Sequence, residues 1–220
     1  MNRSGKESAQ LNKLDEYLCD LGLLDNRNPY PNSDFAISTV RGLSYVEIWR
    51  THIKRRWYDF RLKDNSLFYF YKERTKVNMS YLGCPYNCMT NEEFRASYAA
   101  DLEENKKEEM YEEYLSTANL KPNPNYFRYD IEKTSYREGE HPVAHIHCGM
   151  MDSVRIGVSK ELDFMSFAAF ILRQIYVDKW GIVLNNDNDY HELYIHKANL
   201  SDIAPQYYQP KDRYQDFYLC

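Results

Sequence analysis

The sequence predicts an α+β fold, an antiparallel sheet covered on one face by helices, with a helical N-terminal part. Three observations carry this. Short aromatic segments at 58–82 and 126–158 alternate apolar and polar residues with the period of a strand. Segments at 11–24, 44–53 and 163–178 space their apolar residues as a helix does. The 220 residues are 43% hydrophobic and 28% charged, enough for one core of ordinary size.

Residues 1–10 are polar and read as a disordered tail, leaving 11–220 as one α+β domain, with a helical lobe at 90–120 as an option. Leu11, Leu14, Leu18 and Leu21 recur at helical spacing, and an Asn- and Pro-rich loop follows at 25–34. Ser44 and Glu47 have the spacing of a capping box, which opens a short helix with Tyr45, Ile48, Trp49, His52 and Ile53 inward. Tyr58, Phe60 and Leu62 then alternate with Asp59 and Arg61, a turn follows at Lys63-Asp64-Asn65, and residues 66–71 form the return strand. A third strand spans 78–82. Thr90 and Glu93 form a second capping box, starting a charged helix to about residue 116. The polar run at 103–109 is either its solvated face or a break. Pro122 and Pro124 end it. Three strands at 126–131, 143–148 and 153–158 follow, then a helix at 163–178 with Phe164, Phe167, Ala168, Ile171 and Ile175 on one stripe. Asn185 to Asp189 reads as a polar loop without calcium-loop spacing.

Composition excludes several classes. A net charge of -5 argues against broad, sequence-blind nucleic-acid binding, though not against a local basic patch. No apolar run reaches the ~18 residues a membrane span needs, and the polar N-terminus lacks the core of a secretion signal. Five cysteines at irregular spacing suit free thiols in a reducing compartment, so a cytoplasmic location is expected and no membrane association. Cys84 and Cys88 offer half a zinc site that His145 and His147 would have to complete.

The period of two places chemistry on one face. In the last three strands Tyr129, Ile131, Ala144, Ile146, Val154 and Ile156 point toward the helix at 163–178. Arg128, Asp130, His145, His147 and Arg155 point the other way, and His141 lies just ahead of the second strand. Sequential strands usually pair, which would gather these side chains. Histidine exchanges a proton near neutral pH, aspartate orients it, and arginine holds a phosphate. Asp130, His141, His145 and His147 also have the donor types for a divalent metal. The alternative is that these residues are the solvated face of a two-layer sheet.

Phe127-Arg128-Tyr129-Asp130, His141-Pro142-x-x-His145-x-His147, Val154-Arg155-Ile156 and the helix bearing Phe167, Phe170, Ile171, Leu172 and Arg173 resemble a bacterial family, domain of unknown function 2290. Tyr81-Leu82-Gly83-Cys84-Pro85 fits the same likeness, which covers about residues 40 to 180. The Asp-then-His strand pattern is also similar to small toxins of bacterial toxin–antitoxin pairs thought to act on RNA. That second resemblance implies Asp130, His141, His145 and His147 at an active surface, although this chain carries a much longer N-terminal part. Genes of such families often sit among phage-defence modules, which implies a protein partner.

Arg50, Lys54, Arg55 and Arg56 flank Trp49 and Trp57 and form a second candidate, a nucleic-acid contact that pairs phosphates and stacks bases. The competing reading is a helix C-terminus carrying cations that suit its dipole. Tyr207, Tyr208, Tyr214, Phe217 and Tyr218 make an aromatic tail that needs a surface to dock on. The expected function is a nucleic-acid-directed, RNase-like effector of a bacterial defence or toxin–antitoxin system. The alternative is a non-catalytic subunit that partners an ATPase or another protein of a phage-defence system. The sequence names no cofactor.

Overall fold

In chain order the elements are α1 (Gly5–Asp20), β1 (Leu24–Arg27), α2 (Ile37–Val40), α3 (Tyr45–Arg55), β2 (Phe60–Leu62), β3 (Leu67–Lys72), β4 (Lys76–Leu82), β5 (Tyr86–Asn87), α4 (Asn91–Tyr98), α5 (Glu104–Thr117), β6 (Asn119–Leu120), β7 (Tyr126–Glu132), β8 (Ala144–Cys148), β9 (Arg155–Gly157), α6 (Phe164–Ile175), α7 (Val177–Asn185) and α8 (Asp187–Ala198). They come from a computed structural model that describes residues 3–31, 37–40, 42–73, 76–150 and 154–214. The architecture is α+β. Strands follow the order β1-β2-β3-β4-β7-β8-β9 in one sheet, and β5 pairs with β6. The chain groups into two compact units, one of Gly22–Tyr69 with Leu82–Asn125, the other of Asn2–Leu21, Phe70–Tyr81 and Tyr126–Cys220.

In the first unit, Ser44 caps α3 through the expected box, its hydroxyl accepting from the Glu47 N–H. The helix buries Ile48, Trp49 and His52, and ends at Arg56 in a left-handed conformation. The β2–β3 hairpin pairs Phe60 with Phe68, both fully buried. Asn65 takes a φ of 64° in its turn, a conformation asparagine tolerates better than most residues. Part of the loop expected at 25–34 is instead β1, antiparallel to β2. The charged helix expected from residue 90 to 116 is two helices. Its break falls at residues 99–103, just ahead of the polar run, which is the exposed part of α5. Arg95 bridges the break, reaching Glu104 at 2.6 Å and Glu108 at 2.9 Å.

In the second unit, the segment 1–10 expected as a disordered tail is helical from Gly5. Ser4 and Glu7 form a capping box there, a polar signal that starts α1 ahead of its first leucine. Antiparallel pairing aligns Phe127 with Cys148, Tyr129 with Ile146 and Ile131 with Ala144. On this apolar face α6 lays its buried residues, with Phe164 5.0 Å from Phe70 and Phe170 5.6 Å from Phe127 between ring centroids. Asp163 caps α6, and Tyr176 separates it from α7, so the helix expected to run to 178 ends at Ile175. The loop expected at 185–189 is largely the start of α8. Tyr207 meets Tyr136 edge-on at 5.6 Å, and Tyr214 is exposed. Phe217 and Tyr218 lie outside the described residues. Among the described residues no helix is long and apolar enough to cross a membrane.

Candidate active site

The site is built on the polar face of β4, β7 and β8. Register places Arg128 opposite His147 and Asp130 opposite His145. Alternation along β8 puts both imidazoles on the side away from α6, as period two requires. The four side chains meet. The Arg128 Nε–H donates to Asp130 Oδ2 at 2.7 Å, and His147 Nε2 lies 3.4 Å from the same oxygen. His145 and His147 approach through their Nε2 atoms at 3.0 Å. His145 Nδ1 is 2.9 Å from the Pro142 carbonyl, an acceptor only, so the proton of a neutral His145 sits on Nδ1. Its Nε2 then accepts from the His147 Nε2–H. His147 Nδ1 is buried without a hydrogen-bond partner.

Electrostatics follow from this packing. Burial alone would raise the Asp130 pKa, but the hydrogen bond from His147 and the adjacent Arg128 guanidinium outweigh it and hold the group at about 2. Burial, reinforced by the neighbouring His147, lowers His145 to about 4. His145 is therefore a neutral imidazole at pH 7.

His141 joins the group at its edge, its ring 5.1 Å from that of His145. Burial and then the charge of Arg155 lower its pKa. Arg155 stands opposite His147 across the β8–β9 pair, but its side chain is exposed. The alternative of a solvated sheet face does not hold for the imidazoles: His145 and His147 are each only 2% exposed, and Asn78 and Ser80 are buried in the same unit. Burial is tolerated because most of these polar atoms find polar partners inside. Val154, expected inward, is exposed, since β9 begins only at Arg155 and the ladder does not reach it.

Sequence reasoning missed two supporting groups. Asn78 on β4 donates from Nδ2 to Asp130 Oδ1 at 2.6 Å. The alternation of Asn78 and Ser80 with Val77, Met79 and Tyr81 was the available signal, but it needs the β4–β7 register to become specific. The Pro142 carbonyl carried no signal at all. Asp163 was also overlooked. It caps α6 while accepting from Gln10 at 2.6 Å and from His196 Nε2 at 2.8 Å; burial alone would raise its pKa, but the bonds from His196 and from Ser166 at the cap hold it at about 2.

The basic cluster has other work. Arg50 lies over the Tyr86 ring at 5.5 Å, Arg55 over Trp57 at 5.7 Å, and Arg56 forms the helix cap and donates to Asn28. Lys54 is exposed. Trp49 and Trp57 are core residues with no face open to a base, so the stacking half of that expectation is lost. Cys84 and Cys88 are free thiols whose mutual hydrogen bond raises the first pKa and lowers the second. Neither is part of the cluster with metal-binding donors that Asp130, His145 and His147 form.

Residues 28–207 match the family described as uncharacterized conserved protein (DUF2290), and the chain belongs to that family. Neither a curated protein nor a solved structure gives a significant match.

Proposed function

We propose that this DUF2290 member is a nucleic-acid-directed effector of RNase type, with His145, His147, Asp130 and Arg128 as its reacting group. One observation supports the reading: a guanidinium, a carboxylate and two imidazoles follow one another in a continuous chain of contacts, Arg128 to Asp130 to His147 to His145. In such a group a neutral imidazole accepts the proton of a ribose 2′-hydroxyl as that oxygen attacks the phosphorus. A protonated partner then gives its proton to the leaving 5′-oxygen as the bond between phosphorus and that oxygen breaks. Arg128 suits the phosphate charge, and Asp130 orients His147. A setting in bacterial defence or a toxin–antitoxin pair comes from the resemblance of the strand pattern to small toxins, and the geometry adds nothing to it.

A second reading has its own observation. The imidazoles are almost fully buried, which suits a hydrogen-bonded core network in a non-catalytic subunit that binds a protein partner. Incubation of the purified chain with labelled RNA separates the two. The RNase reading expects cleavage that falls at least ~100-fold in His147→Gln and Asp130→Asn, with melting curves showing both variants folded. A wild-type protein that leaves RNA intact, with or without added divalent metal, would exclude it and leave the interaction subunit.

A further inference from the structure

We propose that Asp130, His145 and His147 bind one divalent first-row transition metal ion, zinc foremost, through two imidazole Nε2 atoms and a carboxylate oxygen. One donor atom from each residue lies within 4.8 Å of the other two. The Nε2–Nε2 separation is 3.0 Å, and His147 Nε2 stands 3.4 Å from Asp130 Oδ2. Tetrahedral bonds of about 2.0–2.2 Å hold neighbouring ligand atoms roughly 3.3–3.6 Å apart, so the His147–Asp130 contact already has the spacing of a coordination shell and the two imidazoles would open by a few tenths of an ångström. The register already sets the two histidines on one strand face with the aspartate opposite one of them.

The outer contacts also fit. A coordinating histidine usually donates its other ring N–H to a carbonyl or carboxylate, which fixes the tautomer and aims the lone pair. His145 does this through Nδ1 to Pro142. His147 Nδ1 has no partner among the described residues, and the proton that its Nε2 shares with His145 and Asp130 is the one an ion would replace between the rings. Asn78 grips Oδ1 of Asp130 and leaves Oδ2 toward the imidazoles, where it is shared with Arg128. Nitrogen donors select zinc-like ions over magnesium and calcium, which take oxygen shells. Three protein ligands leave a coordination position open, the pattern of catalytic rather than closed structural sites. The inference deepens the proposed reacting group but does not depend on turnover.

The test uses the full chain, stripped with a chelator and titrated with Zn²⁺ by calorimetry, with bound metal counted by mass spectrometry. One ion per chain is expected, together with a raised melting temperature. His147→Gln and Asp130→Asn should weaken binding by at least the ~100-fold that even an outer partner can cost. Cys84→Ser and Cys88→Ser should leave it unchanged. Substituting Co²⁺ into the wild type covers the case of variants that do not fold: visible bands of a nitrogen–oxygen shell support the site, and a thiolate charge-transfer band overturns it. Absence of stoichiometric uptake, or uptake unaffected in folded His147→Gln, also overturns it. Binding without RNA cleavage sinks only the RNase reading. RNA cleavage by a chain that takes up no added metal sinks only this one.

Discussion

Asp130 balances the charges of the buried face. It takes hydrogen bonds from Asn78 on one oxygen and Arg128 on the other, and stands against His147. Inside a protein such a network is stabilising only while its members stay satisfied, because an orphaned buried group loses its hydration and regains nothing. Asn78→Ala removes one donor and leaves Oδ1 of Asp130 short of a partner, so we expect a loss of ~1–3 kcal/mol. Chemical denaturation of the variant checks this, and an unchanged midpoint would mean that water replaces the amide. His147 needs no such support from its strand neighbours, since Ala144 and Ile146 on the opposite side of β8 carry the apolar packing.

At the scale of elements, the rules that act over three or four residues were the legible ones. Capping boxes stand at Ser4, Ser44, Thr90 and Asp163, and those at 44 and 90 were visible as spacing alone. The hairpin was legible for the same reason: alternation and a turn residue are local. Phe60 and Phe68 face each other across it with no exposed surface to speak of, and truncating either to alanine should cost ~3–5 kcal/mol. A thermal melt without loss for both would mean the core repacks around them. Less legible were the helix interruptions at residues 99–103 and at Tyr176, where tertiary contacts decide and propensity does not. Backbone approach was not legible either. Gly83 donates its N–H to Asn125 O at 2.8 Å, and an added Cβ would sit 2.9 Å from that oxygen. Gly83→Ala should therefore destabilise the fold by ~1–3 kcal/mol, on the scale of other overpacked positions, as read by the denaturation midpoint.

For the whole molecule, the sequence showed which side chains share a face, because strand geometry leaves no choice, but not whether that face is wet. Burial of His145 and His147 depends on neighbours remote in sequence, and Asn78 reaches Asp130 across 52 positions. The same uncertainty applied to His52, read correctly as an inward residue of α3, and its burial has a consequence for acid stability. Burial lowers the His52 pKa from 6.5 to about 4, although its Nδ1–H keeps a bond to the Ile48 carbonyl at 2.8 Å. The ring also meets Trp57 edge-on. An unfolded chain protonates this histidine near pH 6.5, while the folded one resists until about pH 4. Between those values the unfolded state binds more protons, so stability falls as pH falls. The contribution is fully present above pH 6.5 and lost by about pH 4, on the order of 3 kcal/mol. His52→Gln cannot titrate. Its unfolding free energy, measured by denaturant from pH 7.5 to 4, should fall less steeply than that of the wild type, with the difference confined to this window. Parallel curves would place the His52 ring in contact with water and remove the basis for the shift.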